Sequence, residues 1–144
     1  MNDLSILKYK KIRLAALDLD GTVLTDDKRV TRRTRSAIER AAEAGVTVVV
    51  VTGRPLAGIP EAVQAIQGIR YYITSNGAVV SEIQSGRPQS FSHSRTLHAD
   101  LLDPHTAEEI TRLALDRGIL YSVYIGGTGY CDQACFDGRL ELYE

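Results

Sequence analysis

Three short apolar runs, IRLAAL (12–17), VTVVVV (46–51) and YYIT (71–74), each stop at polar residues, and a helix-like segment separates each from the next. Apolar runs of four to eight residues rich in β-branched side chains are strand signatures. Between the first two, Thr31 is placed to cap RRTRSAIERAAEA, and Gly45 is placed to end it. Ala37, Ile38, Ala41 and Ala42 fall on one face of that helix, and Arg35 with Glu39 makes an i,i+4 pair. Pro60 suits the first position of a second helix, PEAVQAIQ, and Gly68 supplies its stop. Strand, helix, strand, helix, strand is the order of a parallel sheet with helical crossovers. A strand inside such a sheet is covered on both faces, so Ile12, Leu14, Ala15, Ala16 and Leu17 are all expected to be buried.

After Gly77 the pattern changes. AVVSEI and QSFSHS flank QSGRP and predict a β-hairpin. Asp103 can cap a helix with Pro104 at its first position, and Ala107, Ile110, Leu113 and Ala114 would share a face. ILYSVYI then predicts a strand, followed by the loop GGTG, which no convincing helix follows, so it is not a dinucleotide loop. The change of pattern divides the chain into residues 1–95 and 96–144.

Charge narrows the functions. With 17 basic and 18 acidic side chains the net charge is −1, so no global field favours nucleic acid or an anionic membrane. Arg29, Arg32, Arg33 and Arg35 cluster, but their phase opposite an apolar stripe reads as a solvated helix face. Two cysteines, Cys131 and Cys135, give no disulfide framework and leave zinc short of ligands. The first residues carry no apolar block of signal-peptide length, and no run is long enough to span a bilayer. A cytoplasmic location is the expectation.

The functional signal is at the strand ends. On a strand, positions i and i+2 share a face, so Asp18 and Asp20 point to one place while Leu19 turns away. Thr52 ends the second run and Asn76 follows the third, and open parallel sheets bind ligands beyond their carboxyl ends. A surface turn would also explain Asp-Gly here, and Asn76-Gly77 is a strong turn signal by itself. A carboxylate can attack phosphorus and split a hard displacement into two easier steps. Anion meeting phosphate is repulsive, by roughly 4 kcal/mol per unit-charge pair at about 4 Å and an effective dielectric near 20. A hard divalent cation such as Mg²⁺ relieves that, and a second acid can handle the protons.

DLDGTVL resembles the first signature of the haloacid dehalogenase-like (HAD) phosphatases, and VVTGR resembles their second. The series DLDGT, TGR, SNGA is similar to the Cof-type subfamily, whose members insert a large cap after the third strand. The resemblance covers roughly residues 12–95; it implies a partial Rossmann-like parallel sheet followed by the start of an α+β cap domain. It implies Asp18 as nucleophile, forming an aspartyl-phosphate, and Asp20 as general acid/base. It places Mg²⁺ on the Asp18 side chain and the Asp20 carbonyl. It gives the transferring phosphoryl to the Thr52 hydroxyl and the Gly53 amide, with Asn76 on the third side as either a substrate contact or a turn former. Arg54 adds a positive charge or belongs to the loop. Small phosphorylated metabolites are the substrates implied.

Two further motifs of the family, a later lysine and an acidic GDxxxD-like segment, have no counterpart. No lysine follows Lys28, and Asp132 and Asp137 lack the GD context. Without the strands that bring those motifs, one flank of the first strand would be an open apolar edge. The expectation is an incomplete phosphatase that dimerises along this edge or pairs with a missing C-terminal portion. The alternative is an inactive binding or assembly module. A phospho-receiver domain is a distant third, since Ser75-Asn76-Gly77 stands where its aspartate would be.

Overall fold

The computed structural model describes residues 12–83, 91, 94–126, 128–131 and 133. The chain divides into two compact units between Ala99 and Asp100. The first holds β1 (Leu14–Leu17), α1 (Arg32–Glu43), β2 (Thr47–Val51), α2 (Glu61–Gln64), β3 (Ile69–Thr74), β4 (Val79–Ile83) and β5 (Ser94–Ala99). These five strands form one mixed sheet in the order β1-β2-β3-β4-β5. β1, β2 and β3 run parallel, as the alternation predicts, and β4 and β5 are antiparallel additions. The carboxyl ends of the three parallel strands therefore lie along one rim.

Thr31 is extended and accepts the Thr34 N–H at 3.1 Å, which satisfies one of the orphan donors of the first turn of α1. Gly45 follows the helix with φ +85, a left-handed conformation that glycine adopts freely. Ile38 is buried, and Ala41 and Ala42 pack beside it. The expected Arg35–Glu39 pair is replaced by longer-range contacts. Arg35 donates to the carbonyls of Ala65 at 2.8 Å and Ala62 at 3.1 Å, while Glu39 accepts the Gln67 N–H at 3.3 Å. Orphan carbonyls at the end of α2 are better partners for a guanidinium than an exposed carboxylate one turn away.

The core lies on one face of the sheet. Val48 and Val50 of β2 face it, with Ile69 and Tyr72 of β3, Ile38 of α1, Val63 of α2, and Leu19 and Leu24 after β1. Ile69 and Tyr72 are an odd number of residues apart, yet both face inward. The register slips between Val48/Val49 and Ile69/Tyr71, so Arg70 is an inserted residue that restores the alternation. Tyr72 is edge-on to Phe91, with ring centroids 5.3 Å apart.

The first strand departs from expectation. Leu14 is 57% exposed, Ile12 is 49% exposed and Ala16 is exposed as well. β1 pairs only with β2 among the described residues, and α1 and α2 both contribute to the core on the opposite face. Its composition is that of a strand covered on both sides, and here only one side is covered. The hairpin is present as β4 and β5, with Ser94–Ala99 as its second strand, while most of the expected strand 89–94 and of the connection before it lies outside the described residues. β5 also runs across the expected 95/96 division and stays with the first unit.

The second unit holds α3 (Pro104–Asp116) and a short antiparallel hairpin, β6 (Val123–Ile125) and β7 (Thr128–Tyr130). Asp103 caps α3 and Pro104 opens it, as the sequence predicts. The expected strand over 119–125 shortens to three residues, because its partner is only three residues long across the turn at Gly126.

Candidate active site

Leu17 pairs with Val50, so Asp18 follows directly on one strand while Thr52 lies two residues beyond the partner on the next. Leu19 is fully buried, and its carbonyl accepts the N–H groups of Thr22, Val23 and Leu24 at 3.3, 3.1 and 2.8 Å. This hub pins the loop after β1 from beneath. Gly21, at φ +75, makes the reversal that a side chain would resist. With Leu19 directed inward, Asp18 and Asp20 are both exposed on the solvent side. The Thr22 hydroxyl donates to Asp18 Oδ2 at 3.3 Å.

Asp20 is the electrostatic centre of the rim. Arg54 grips it with two parallel bonds, Nε to Oδ2 and Nη2 to Oδ1, both at 2.8 Å. Lys28 Nζ lies 2.9 Å from the same Oδ1. First Arg54 and then Lys28, as hydrogen-bond donors, hold the Asp20 carboxyl far below the usual carboxylate range. Asp20 is therefore an ion-paired carboxylate, and the pairing opposes its protonation.

Arg54 is in turn fixed by its own loop. Its Nη1 donates to the Gly58 carbonyl at 3.0 Å, and its backbone N–H donates to Thr52 Oγ1 at 3.2 Å. Thr52 is buried, and its N–H donates to the Ile73 carbonyl at 2.9 Å, which ties the end of β2 to β3. The Arg54 carbonyl accepts the Ser75 N–H at 2.9 Å. Ser75 and Asn76 both adopt positive φ, 52 and 56, ahead of Gly77 at 99. Two consecutive non-glycine residues in the left-handed region are a costly way to make a turn. The result is that Asn76 Oδ1 lies against Gly53, where an added Cβ would come within 2.7 Å of it. A side chain at 53 would therefore displace the Asn76 amide.

The rim therefore links Asp20, Arg54, Thr52, Gly53 and Asn76 through contacts, with Asp18 and Thr22 beside Asp20 in the chain. The strand-end pattern singled out Asp18, Asp20, Thr52 and Asn76, and the family resemblance added Thr22, Gly53 and Arg54. Two features escaped it: the bidentate grip of Arg54 on Asp20, and Lys28, which lies eight positions along the chain from its partner with no pattern to announce the contact. His98 and His105 stand on exposed parts of β5 and α3, and His93 lies outside the described residues, as does Cys135. Cys131 is exposed and free.

Residues 15–142 match the family signature of haloacid dehalogenase-like hydrolases. The chain belongs to that family. A protein of Streptococcus pyogenes serotype M6 is 40% identical over 78 residues, 52% of this chain and 29% of its own length. The Bacillus subtilis 5-amino-6-(5-phospho-D-ribitylamino)uracil phosphatase YcsE is 38% identical over 69 residues, 48% of this chain and 28% of its own length. The structure of a HAD-like hydrolase from B. subtilis superimposes with a TM-score of 0.70 at 28% identity, over 92% of this chain and 44% of that one. This HAD chain thus spans less than half of the proteins it matches.

Whether a metal fits can be tested on the donors. Asp18 offers a solvent-facing carboxylate whose recorded partner is a neutral hydroxyl, a hard oxygen donor open to a cation. The Asp20 carboxylate is taken by two cations, which leaves its carbonyl for a metal. No group of three acidic, histidine or cysteine side chains able to hold a metal occurs among the described residues. The set suits a Mg²⁺ that keeps most of its waters, and it does not form a cage. No helix among the described residues is long and apolar enough to cross a membrane.

Proposed function

We propose that this chain carries the phosphoryl-accepting half of a Mg²⁺-dependent HAD phosphatase for small cytoplasmic phosphorylated metabolites. The observation that supports it most is that the residues matching the family's first two signatures meet at one rim, Asp18 beside an Asp20 that is gripped from the Thr52–Arg54 segment. In this reading an Asp18 oxygen bonds to phosphorus as the ester P–O bond breaks, giving an aspartyl-phosphate and an alkoxide that takes up a proton. Water then attacks the phosphorus and yields a proton to Asp20, the Asp18–phosphorus bond breaks, and inorganic phosphate leaves. The proton gained by Asp20 goes to the next leaving oxygen. Thr52 would donate its hydroxyl hydrogen to a phosphoryl oxygen, with the Gly53 amide and Asn76 on the far side. Bound at Asp18 and the Asp20 carbonyl, Mg²⁺ would supply charge neutralisation.

Residues 100–144, the second unit, are in this reading the start of a cap that selects the substrate. The bare edge of β1 takes a further strand, from a complementary C-terminal portion or from a second copy of the chain. Phosphate release from p-nitrophenyl phosphate with Mg²⁺ tests the reading, using the chain supplemented with a C-terminal fragment from a matched relative. Asp18→Asn is expected to lower it by roughly 10³-fold or more, as losses of preorganised catalytic groups do. Activity that survives the substitution would remove Asp18 from the chemistry.

A second reading is favoured by the two cations on Asp20, which oppose its uptake of a proton: a binding or assembly module without turnover. It predicts calorimetric binding of beryllofluoride with Mg²⁺ and no phosphate release from any supplemented mixture.

A further inference from the structure

Lys28 is held in an unusual way. Its φ of 58 places a non-glycine residue in the left-handed region, where lysine gains nothing by local hydrogen bonding. The turn around it is closed without its side chain. Thr25 N–H donates to the Arg29 carbonyl at 2.9 Å, and the Thr25 hydroxyl contacts Asp27 and the Arg29 carbonyl. Arg29 pairs with Asp27. The side chain is left to extend back to Asp20.

The fold does not depend on that contact. Arg54 already occupies both oxygens of Asp20, and Lys28 adds a third bond to an oxygen already in use. Its side chain is 57% exposed, and exposed pairs of this kind contribute little to stability. The two cations also differ in freedom. The Arg54 guanidinium is anchored at the Gly58 carbonyl as well as on both oxygens of Asp20, whereas the Lys28 ammonium contacts Asp20 Oδ1. A compact ammonium on four methylenes can change partners by rotation alone, and a planar, doubly anchored guanidinium cannot.

We propose that Lys28 is a phosphate-binding residue, parked on Asp20 until a phosphoryl group docks beside Asp18 and then transferred to that group's oxygens. The proposal rests on the phosphatase reading and names within it the mobile cation of the site. A docking dianion adds charge to a rim that already holds two carboxylates, and Lys28 is the positive charge that can follow it. The left-handed backbone at position 28 is then the cost of aiming this side chain across the loop.

Titration of the full chain with inorganic phosphate in Mg²⁺ buffer, followed by amide NMR shifts, tests this. Lys28→Met is expected to weaken binding about tenfold, the scale of one charge-assisted hydrogen bond. Lys28→Arg should recover part of the loss. Lys28→Gly should weaken binding as Lys28→Met does, while its melting temperature holds or rises because glycine relieves the backbone. Arg33→Met, which removes an exposed charge on α1, should leave binding unchanged. In an Asp20→Asn background the penalty for losing Lys28 should grow, since nothing then competes for the ammonium. Lys28→Met binding phosphate as the parent does would overturn the role of Lys28 and leave the phosphatase reading standing. Binding lost only in step with melting temperature would make Lys28 structural. A parent chain that takes up no phosphate would overturn both.

Discussion

Helix α1 and helix α3 begin alike. Thr31 accepts the N–H of Thr34, Asp103 accepts that of Thr106, and each cap is an extended residue ahead of an amphipathic stretch of similar length. Their surroundings differ. α1 buries Ile38 in a core shared with β2, β3 and α2. α3 buries Ala114, while Ile110 is 53% and Leu113 is 50% exposed. Capping and periodicity are local and can be met by either helix alone. Burial needs a second surface, and among the described residues the stripe predicted for α3 has none over Ile110 and Leu113. Helix formation and helix packing are thus separate steps, and of these two helices only α1 seats its stripe in a core among the described residues.

Substitutions at matched positions can break this contrast. Ile38→Ala should destabilise the first unit by about 2–4 kcal/mol, the lost transfer of a buried side chain plus a cavity. Ile110→Ala should change stability by no more than about 0.5 kcal/mol, as a surface change does. Urea unfolding followed by amide signals of α1 and α3 would read both, and equal losses would mean that the α3 stripe is covered in solution.

Alkaline pH sharpens the same contrast from the core side. Burial pushes the Tyr72 phenol up to about 12 from an ordinary 10.0. The folded state keeps its proton where the unfolded chain releases it, so the contribution is complete below about pH 10 and is lost as pH rises to about 12. The loss is roughly 2–3 kcal/mol, at about 1.4 kcal/mol per pH unit. Denaturant midpoints across that interval, read on β2 and β3, should fall accordingly, and a flat profile would show that Tyr72 is open to solvent.

The sequence carried most of what local rules decide. Thr31, Gly45, Asp103 and Pro104 act in their expected positions because caps and stops depend on nearest neighbours. The parallel order of β1, β2 and β3 followed from alternation, and the contacts of Asp20 with Arg54 and of Asn76 with Gly53 lie at strand ends that share a rim. What could not be read was set by groups distant in the chain. Arg35 abandoned its helical neighbour for carbonyls about 30 residues away, a choice visible only once α2 is in place. Lys28 reaches Asp20 through a left-handed turn that no glycine announced. β1 is less buried than its composition predicts for a related reason: composition reflects the cover a strand suits, and the described residues supply cover on one face only.

The two edges of the sheet make the final comparison. β5 carries Arg95 and His98, both exposed, and charged or bulky polar groups on an edge discourage added strands. β1 is LAAL, with no charge or proline to blunt it. If the open side of β1 is where a further strand joins, Ala16→Lys should abolish concentration-dependent association seen by light scattering. Ala16 is exposed, so the same change should alter the stability of the isolated chain by only a few tenths of a kcal/mol. Thr96→Lys on β5 should leave association unchanged. Association that persists in Ala16→Lys and vanishes in Thr96→Lys would move the joining edge to β5, and with it the expectation that strands are added next to Asp18.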